Sequence, residues 1–193
     1  MIQKKQNNYI IVLIVILFLN ICCQNKSIKP EIEIYTIKEN FQNIEEKYDS
    51  LKKELIYAPE FTVTKDMLNS EPLITDKEIL CIDTILGKIK LSENAVNKIV
   101  DLNPSMKYGV KFVICKDKEP LLTGYFWSSF SSYGSKWNCI EYDHTKKVSE
   151  PVELIMYKGN GLNYANNEKI NFSNYSELIK TLEEAKKLNC LNY

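Results

Sequence analysis

The amino-acid sequence predicts an α+β fold, a mainly antiparallel sheet with about three helices packed on it. Three observations lead there. Short stretches rich in Ile, Val, Phe and Tyr recur along the chain, several of them alternating in the two-residue period of a strand. Between them lie segments whose apolar residues return every three to four positions, the spacing of a helix with one buried stripe. Most connections between strands are too short for the crossover that a parallel pair needs, so sequential strands should pair antiparallel.

The elements follow in order. Glu31-Ile-Glu-Ile-Tyr-Thr-Ile37 alternates, with Ile32, Ile34 and Thr36 on one face. A helix is expected from about Glu39 to Leu55, where Phe41, Ile44, Tyr48, Leu51 and Leu55 stand at helical spacing. Residues 56–72 are irregular, bounded by Pro59 and Pro72. Thr75-Asp-Lys-Glu78 has the form of a capping box, each end satisfying a backbone amide. Ile79-Leu-Cys-Ile-Asp-Thr84 and Lys88-Ile-Lys-Leu91 read as strands about a turn at Gly87. Ser92 caps a second helix that runs to Leu102, with Ala95, Val96, Ile99 and Val100 inward, and Asn103-Pro104 stops it. Val110 to Cys115 and Pro120 to Trp127 form a hairpin across Lys116-Asp-Lys-Glu119. Lys136 to Tyr142 and Val152 to Tyr157 are two further strands. A third helix, from about Asn174 to Leu188, buries Leu178, Ile179, Leu182, Ala185 and Leu188.

Composition limits the function. Lys plus Arg and Asp plus Glu number 25 each in 193 residues, so the net charge is zero. A neutral chain exerts no bulk pull on nucleic acid, and no nucleic-acid partner is expected. At 45% hydrophobic and 26% charged the chain can bury a core.

The N-terminus carries an address. Lys4 and Lys5 precede an eleven-residue uncharged run from Tyr9 to Leu19, then Asn20-Ile-Cys-Cys-Gln24. That run suits the hydrophobic part of a signal peptide and is short for a bilayer span. With an aliphatic residue three positions before a cysteine, Leu19 to Cys22, the segment resembles the lipobox of bacterial lipoproteins. Ile21 occupies a place where Gly, Ala or Ser is usual; for Cys23 the aliphatic place is taken by Asn20. Cys22 is slightly favoured over Cys23. The resemblance implies a signal peptide over 1–22, acylation of the cysteine, a tether over 23–31, and one α+β domain over 32–193. The protein would then sit in the cell envelope, lipid-anchored to a bacterial membrane and facing the periplasm or exterior. Plain secretion and an uncleaved anchor are the alternatives.

A second resemblance covers about 50–70 residues. From Ile79 to Trp127 the expected order is strand, strand, helix, hairpin, the hairpin reading Val-Ile-Cys-Lys-Asp-Lys-Glu-Pro-Leu-Leu-Thr-Gly124. This resembles the first periplasmic head domain of SecD-type translocase subunits, with Asp117-Lys118 where that family has Asp-Gly. Pro72-Leu-Ile-Thr through Gly124-Tyr-Phe-Trp-Ser-Ser is also similar to small bacterial lipoproteins of unknown function. Both imply a fold more than an activity.

Candidate chemistry is thin. Tyr125-Phe-Trp-Ser-Ser-Phe-Ser-Ser-Tyr-Gly-Ser-Lys-Trp137 interleaves six aromatics with five serines. Tyr125, Phe126, Trp127, Phe130, Tyr133 and Trp137 either alternate into the core at a hairpin end or form a contact surface of the kind binding loops use. His144, the one histidine, follows Cys139 by five residues; a nucleophile–base pair competes with a solvated turn at Asp143-His-Thr-Lys146. No cysteine pair at metal-ligand spacing lies beyond the N-terminal doublet, and no cofactor motif is present. A disulfide between Cys139 and Cys190 would staple the last helix to the sheet. The reading is a non-enzymatic binding or scaffold module with the membrane, and a protein, as partners. Its alternative is a periplasmic inhibitor or immunity protein that blocks a toxin or hydrolase.

Overall fold

The computed structural model describes residues 29–39, 47–50, 54–56, 58–103, 108–131, 133–160 and 168–190. Its strands are β1 (Ile32–Thr36), β2 (Lys47–Asp49), β3 (Glu54–Ile56), β4 (Ile79–Asp83), β5 (Lys88–Leu91), β6 (Val110–Lys116), β7 (Glu119–Ser128), β8 (Ser135–Tyr142), β9 (Val152–Asn160) and β10 (Glu168–Lys169). The main sheet runs β1-β6-β7-β8-β9-β5-β4, with β10 against β9. All its pairs are antiparallel except β7 with β8, which is parallel. The described residues hold two α-helices, α1 (Glu93–Val100) and α2 (Ser176–Glu184), where three were expected. The expected helix over 39–55 is overturned in its second half. There β2 and β3 pair as a separate hairpin with Tyr48 opposite Leu55, and Tyr48 is exposed. An exposed Tyr48 adds nothing to a buried stripe, and helices in proteins draw most of their stability from such packing. Residues 40–46 and 51–53, which carry Phe41, Ile44 and Leu51, lie outside the described residues.

Strand alternation sorts the sheet into two faces. One face, with Ile34, Phe112, Phe126, Ile140, Met156 and Ile89, packs on α1 and α2 through Ala95, Ile99, Leu178 and Leu182. Gly124 permits this layer to close. It lies opposite Phe112, and a Cβ there would stand 2.6 Å from the Phe112 ring and 2.9 Å from the Asn138 carbonyl. Among the described residues the other face is covered over β1, β6, β7 and β8, with Tyr157 of β9 at the margin. Tyr35, Val113 and Cys115, then Tyr125, Trp127 and Cys139, lie beneath Ala58, Phe61, Val63, Met67 and Leu68 of the irregular segment.

Both ends of the sheet are closed, which removes open templates for strand addition. At the β1 end, Ile74 and Leu68 bridge to Ile34 and Ile37. At the β4 end the chain leaving α2 turns back through left-handed Lys186, Asn189 and Cys190 and adds a short parallel bridge. The Ile82 amide donates to the Lys187 carbonyl, and the Asn189 amide donates to the Ile82 carbonyl, both at 2.8 Å. Cys190 then forms a disulfide with Cys81, Cα to Cα 5.1 Å. This corrects the expected Cys139–Cys190 bridge. Cys139 sits fully buried in mid-sheet, and β9 and β5 separate its strand from β4, where Cys190 lands. Lys187 seals the same corner. Its buried ammonium donates to the carbonyls of Asp76 and Ile79 and pairs with the Asp76 carboxylate at 2.9 Å. Burial pushes its pKa down, against the pull of Asp76.

The capping box forms as the sequence implied. The Thr75 amide donates to the Glu78 carboxylate at 2.9 Å, and Lys98 of α1 pairs with it at 2.8 Å. Burial alone would raise the Glu78 pKa, but bonds from Lys98, Thr75 and Asn94 outweigh it and hold it below the ordinary range.

Two tests follow from these anchors. Replacing Cys190 with Ser reopens a crosslink that spans 109 residues. The chain-entropy treatment gives a loss of about 4–5 kcal/mol, read as a lower denaturant midpoint, with two free thiols in the unreduced, unfolded parent domain. Glu78 contributes stability above its unfolded pKa of about 4.3, and that contribution is lost as pH falls through its lower folded value. Glu78→Gln should therefore lower stability at pH 7 and flatten the decline of stability below pH 4.3, measured by denaturant melts across pH.

Candidate functional site

The aromatic–serine segment is explained by the parallel pair. Tyr125 pairs with Cys139 and Ser128 with Tyr142, so the chain must leave the end of β7 and re-enter near the start of β8 within residues 129–134. Short side-chain hydroxyls make such a tight return affordable to the backbone by standing in for missing partners. Ser128 Oγ accepts from the Phe130 amide at 3.1 Å, Ser131 Oγ from the Tyr133 amide at 3.2 Å, and Ser135 Oγ from the Trp137 amide at 3.1 Å. Ser135 also donates to the Ala58 carbonyl at 3.2 Å.

The six candidate contact aromatics separate accordingly. Tyr125, Phe126 and Trp127 are buried and belong to the two core layers. Tyr125 Oη donates to the Pro59 carbonyl at 2.9 Å, and Trp127 Nε1 to the Tyr133 carbonyl at 3.2 Å. Trp137 is half-buried and donates to Thr123 Oγ1 at 2.9 Å. Phe130, 56% exposed, and Tyr133, 36% exposed, form the outer crest. Of the six candidates, only Phe130 and Tyr133 are exposed.

His144 meets Ser128, not Cys139. Its Nδ1 lies 2.8 Å from Ser128 Oγ, and its ring stands edge-on to Phe130 at 5.5 Å. Ser128 is buried and already accepts from the Phe130 amide, and the Asp143 carboxylate is turned to the Thr145 amide and hydroxyl. The contact fixes the crest loop and presents no nucleophile to a substrate. Burial pushes the Cys139 and Cys115 thiols up to about 12, which leaves them as small apolar side chains. Among the described residues no group of three His, Cys, Asp or Glu stands where it could hold a metal ion. Cys22 and Cys23 lie outside the described residues.

The sequence reading missed a cleft. β8 and β9 pair as far as Ile140 with Met156 and no further. Their ends part around a cavity of about 440 Å³ lined by Tyr142, Val96, Val148 and Leu154, with Glu141, Asp143 and Glu153 also on its wall. The loop over 143–151 holds it open. Asn97 of α1 grips Val148 at both backbone groups, 3.1 Å to its carbonyl and 2.9 Å from its amide, and Lys147 pairs with Asp101 at 2.9 Å. Tyr142 is 3% exposed, and its hydroxyl has no hydrogen-bond partner. Only the nine-residue gap between two strong strands hinted at this site.

No protein-family model, curated protein or solved structure matches the chain.

The division of the aromatics is testable by denaturant melts. Trp127→Ala should cost about 3–5 kcal/mol as a core truncation. Phe130→Ser, on the crest, should change stability by no more than about 0.5 kcal/mol.

Proposed function

We propose that this chain is a lipid-anchored protein of the bacterial cell envelope. In this reading it is a non-enzymatic binding or scaffold module held at the membrane by acylated Cys22 or Cys23. The observation that carries the reading is the Cys81–Cys190 bridge, whose 5.1 Å Cα separation suits a disulfide. Structural disulfides persist where the compartment is oxidising, which agrees with an exported domain. The charged start, the apolar run and the cysteine doublet supply the address. One acyl chain would hold the protein only marginally, whereas the several chains of a lipoprotein anchor it. The domain begins close behind its tether, since Ile32 is already in the edge strand β1. The open cleft and the crest at Phe130 support a binding role. The crest alone, projecting an aromatic ring from a braced loop, is the observation that favours the second reading. There the protein is an inhibitor or immunity protein that covers a toxin or hydrolase.

Intact mass of the membrane-purified protein decides the anchor. The expected result is the loss of 21 or 22 N-terminal residues and the gain of acyl chains on the new N-terminal cysteine. An unacylated chain that begins elsewhere would overturn the lipoprotein reading.

A further inference from the structure

We infer, resting on the reading of Cys22 or Cys23 as acylated, that the turn between β4 and β5 is a membrane-facing tip. Its Ile85 and Leu86 side chains enter the interface of the bilayer that holds the lipid anchor, and so set how the domain stands on that bilayer.

The point of attachment is fixed. The Glu31 amide donates to the Asp117 carboxylate at 3.2 Å, and the Asp117 amide donates to the Glu31 carbonyl at 3.1 Å. The tether therefore leaves the domain beside the turn between β6 and β7. Residues 24–30 separate Cys23 from Glu31, and Cys22 is one position further. Fully extended, that stretch reaches at most about 30 Å. A folded unit over residues 32–193 is about 40 Å across. A tether shorter than the domain keeps the attached end nearest the membrane.

Strand direction places the β4–β5 turn at that same end. β6 runs toward it, with Lys116 opposite Ile32, and β7 and β8 run away from it side by side. β9 returns toward it, β5 leaves from it at Lys88, and β4 arrives at it with Asp83 opposite Lys88. β1 stands two pairings from β7, and β5 two pairings from β8. At the usual twist each is turned by about 50° from the central strands, in opposite senses, so both still point to one end. Phe130, just past the end of β7, lies at the other end.

The tip itself is apolar and braced. Ile85 is 72% exposed and Leu86 51%, and Ile155, opposite Lys88 just beyond the turn, is 49% exposed. Turns are ordinarily made of Gly, Pro and short polar residues, so two consecutive aliphatic side chains there are unusual. Neither shapes the turn. The Asp83 carboxylate accepts from the amides of Ile85 and Leu86 at 2.9 and 2.7 Å. The Asn189 side-chain oxygen accepts from the amide and hydroxyl of Thr84 at 3.1 and 3.0 Å. A rigid loop that holds aliphatic side chains outward gains by burying them in a bilayer interface, where apolar area leaves water. Charge supplies little of the attraction. The chain is neutral overall, and Lys88 beside the turn is paired with Glu153 at 3.1 Å. A zwitterionic bilayer therefore suffices.

The test uses the chain purified from membranes, isotope-labelled, in phosphatidylcholine nanodiscs that carry a nitroxide near the head of the acyl chain. The methyl signals of Ile85 and Leu86 and the amide signals of Thr84 and Gly87 should be lost to broadening. The Phe130 amide, at the far end, should keep its intensity. Ile85→Ser combined with Leu86→Ser should restore the Thr84 and Gly87 signals. Its thermal midpoint should not move, because the bonds that brace the turn come from Asp83, Thr84 and Asn189. The proposal is overturned if the tip signals keep full intensity, as they would if a second copy or another protein covered the tip. It is equally overturned if Phe130 is the residue broadened, or if the double variant leaves Thr84 and Gly87 broadened. Intact mass of the same preparation tells the two readings apart. An acylated chain with an unbroadened tip overturns the tip alone, whereas an unacylated chain overturns the anchor and the tip with it.

Discussion

The parallel register of β7 and β8 is the constraint on which the rest of the architecture depends. Parallel neighbours ordinarily need a crossover of a dozen or more residues, commonly a helix. Here residues 129–134 make the return. So short a path must lie close against the sheet, and Trp127 ties it there through the Tyr133 carbonyl. The same crossing draws in the irregular segment, because Tyr125 and Ser135 bond to the carbonyls of Pro59 and Ala58. What covers the second face of the sheet therefore follows from how β7 hands the chain to β8.

That constraint also explains how much of the fold was legible. Strands with their own apolar pattern, such as Lys88–Leu91 and Val110–Lys116, were readable because burial and propensity agree there. So were the capping box at Thr75 and Glu78 and the cap at Ser92, where a side chain satisfies a backbone amide within three residues. Register was not legible. Residues 79–127 read as one consecutive unit, yet β4 and β5 lie at one end of the sheet and β6 near the other. Nothing local in a strand says which neighbour it will take, and that missing information also misplaced the disulfide. Cys81 and Cys139 look alike in sequence, each within an apolar strand, and only the strand order decides which one meets Cys190.

The candidate site divides along the same line. The serines at 128, 131 and 135 suggested a recognition loop, and their amide bonds show them holding a tight return. Half of the aromatics beside them fill the core for the reason the alternation gave. Beyond the nine-residue gap between β8 and β9 the cleft left no mark on the sequence, because it consists of pairing that these strands do not make, and an absent ladder has no residue pattern.

An opening in the middle of a sheet has to be offset by its surroundings. Each forgone ladder hydrogen bond costs about 0.5–1.5 kcal/mol, and an unpaired buried hydroxyl about 1–3 kcal/mol. Against a typical domain stability of about 5–15 kcal/mol, that is a substantial share. The compensation lies on the same side of the molecule. β9 keeps its other edge on β5 through four register pairs, and β5 in turn carries β4. The outer edge of β4 is closed by the Lys187 and Asn189 bonds and locked by Cys81–Cys190. Without that lock, β4 would be a frayable edge two strands from the opening, and β5 would be the only brace on the free half of β9. The staple at the chain end and the cleft in the sheet are thus two parts of one arrangement: the first supplies the rigidity that lets the second stay open.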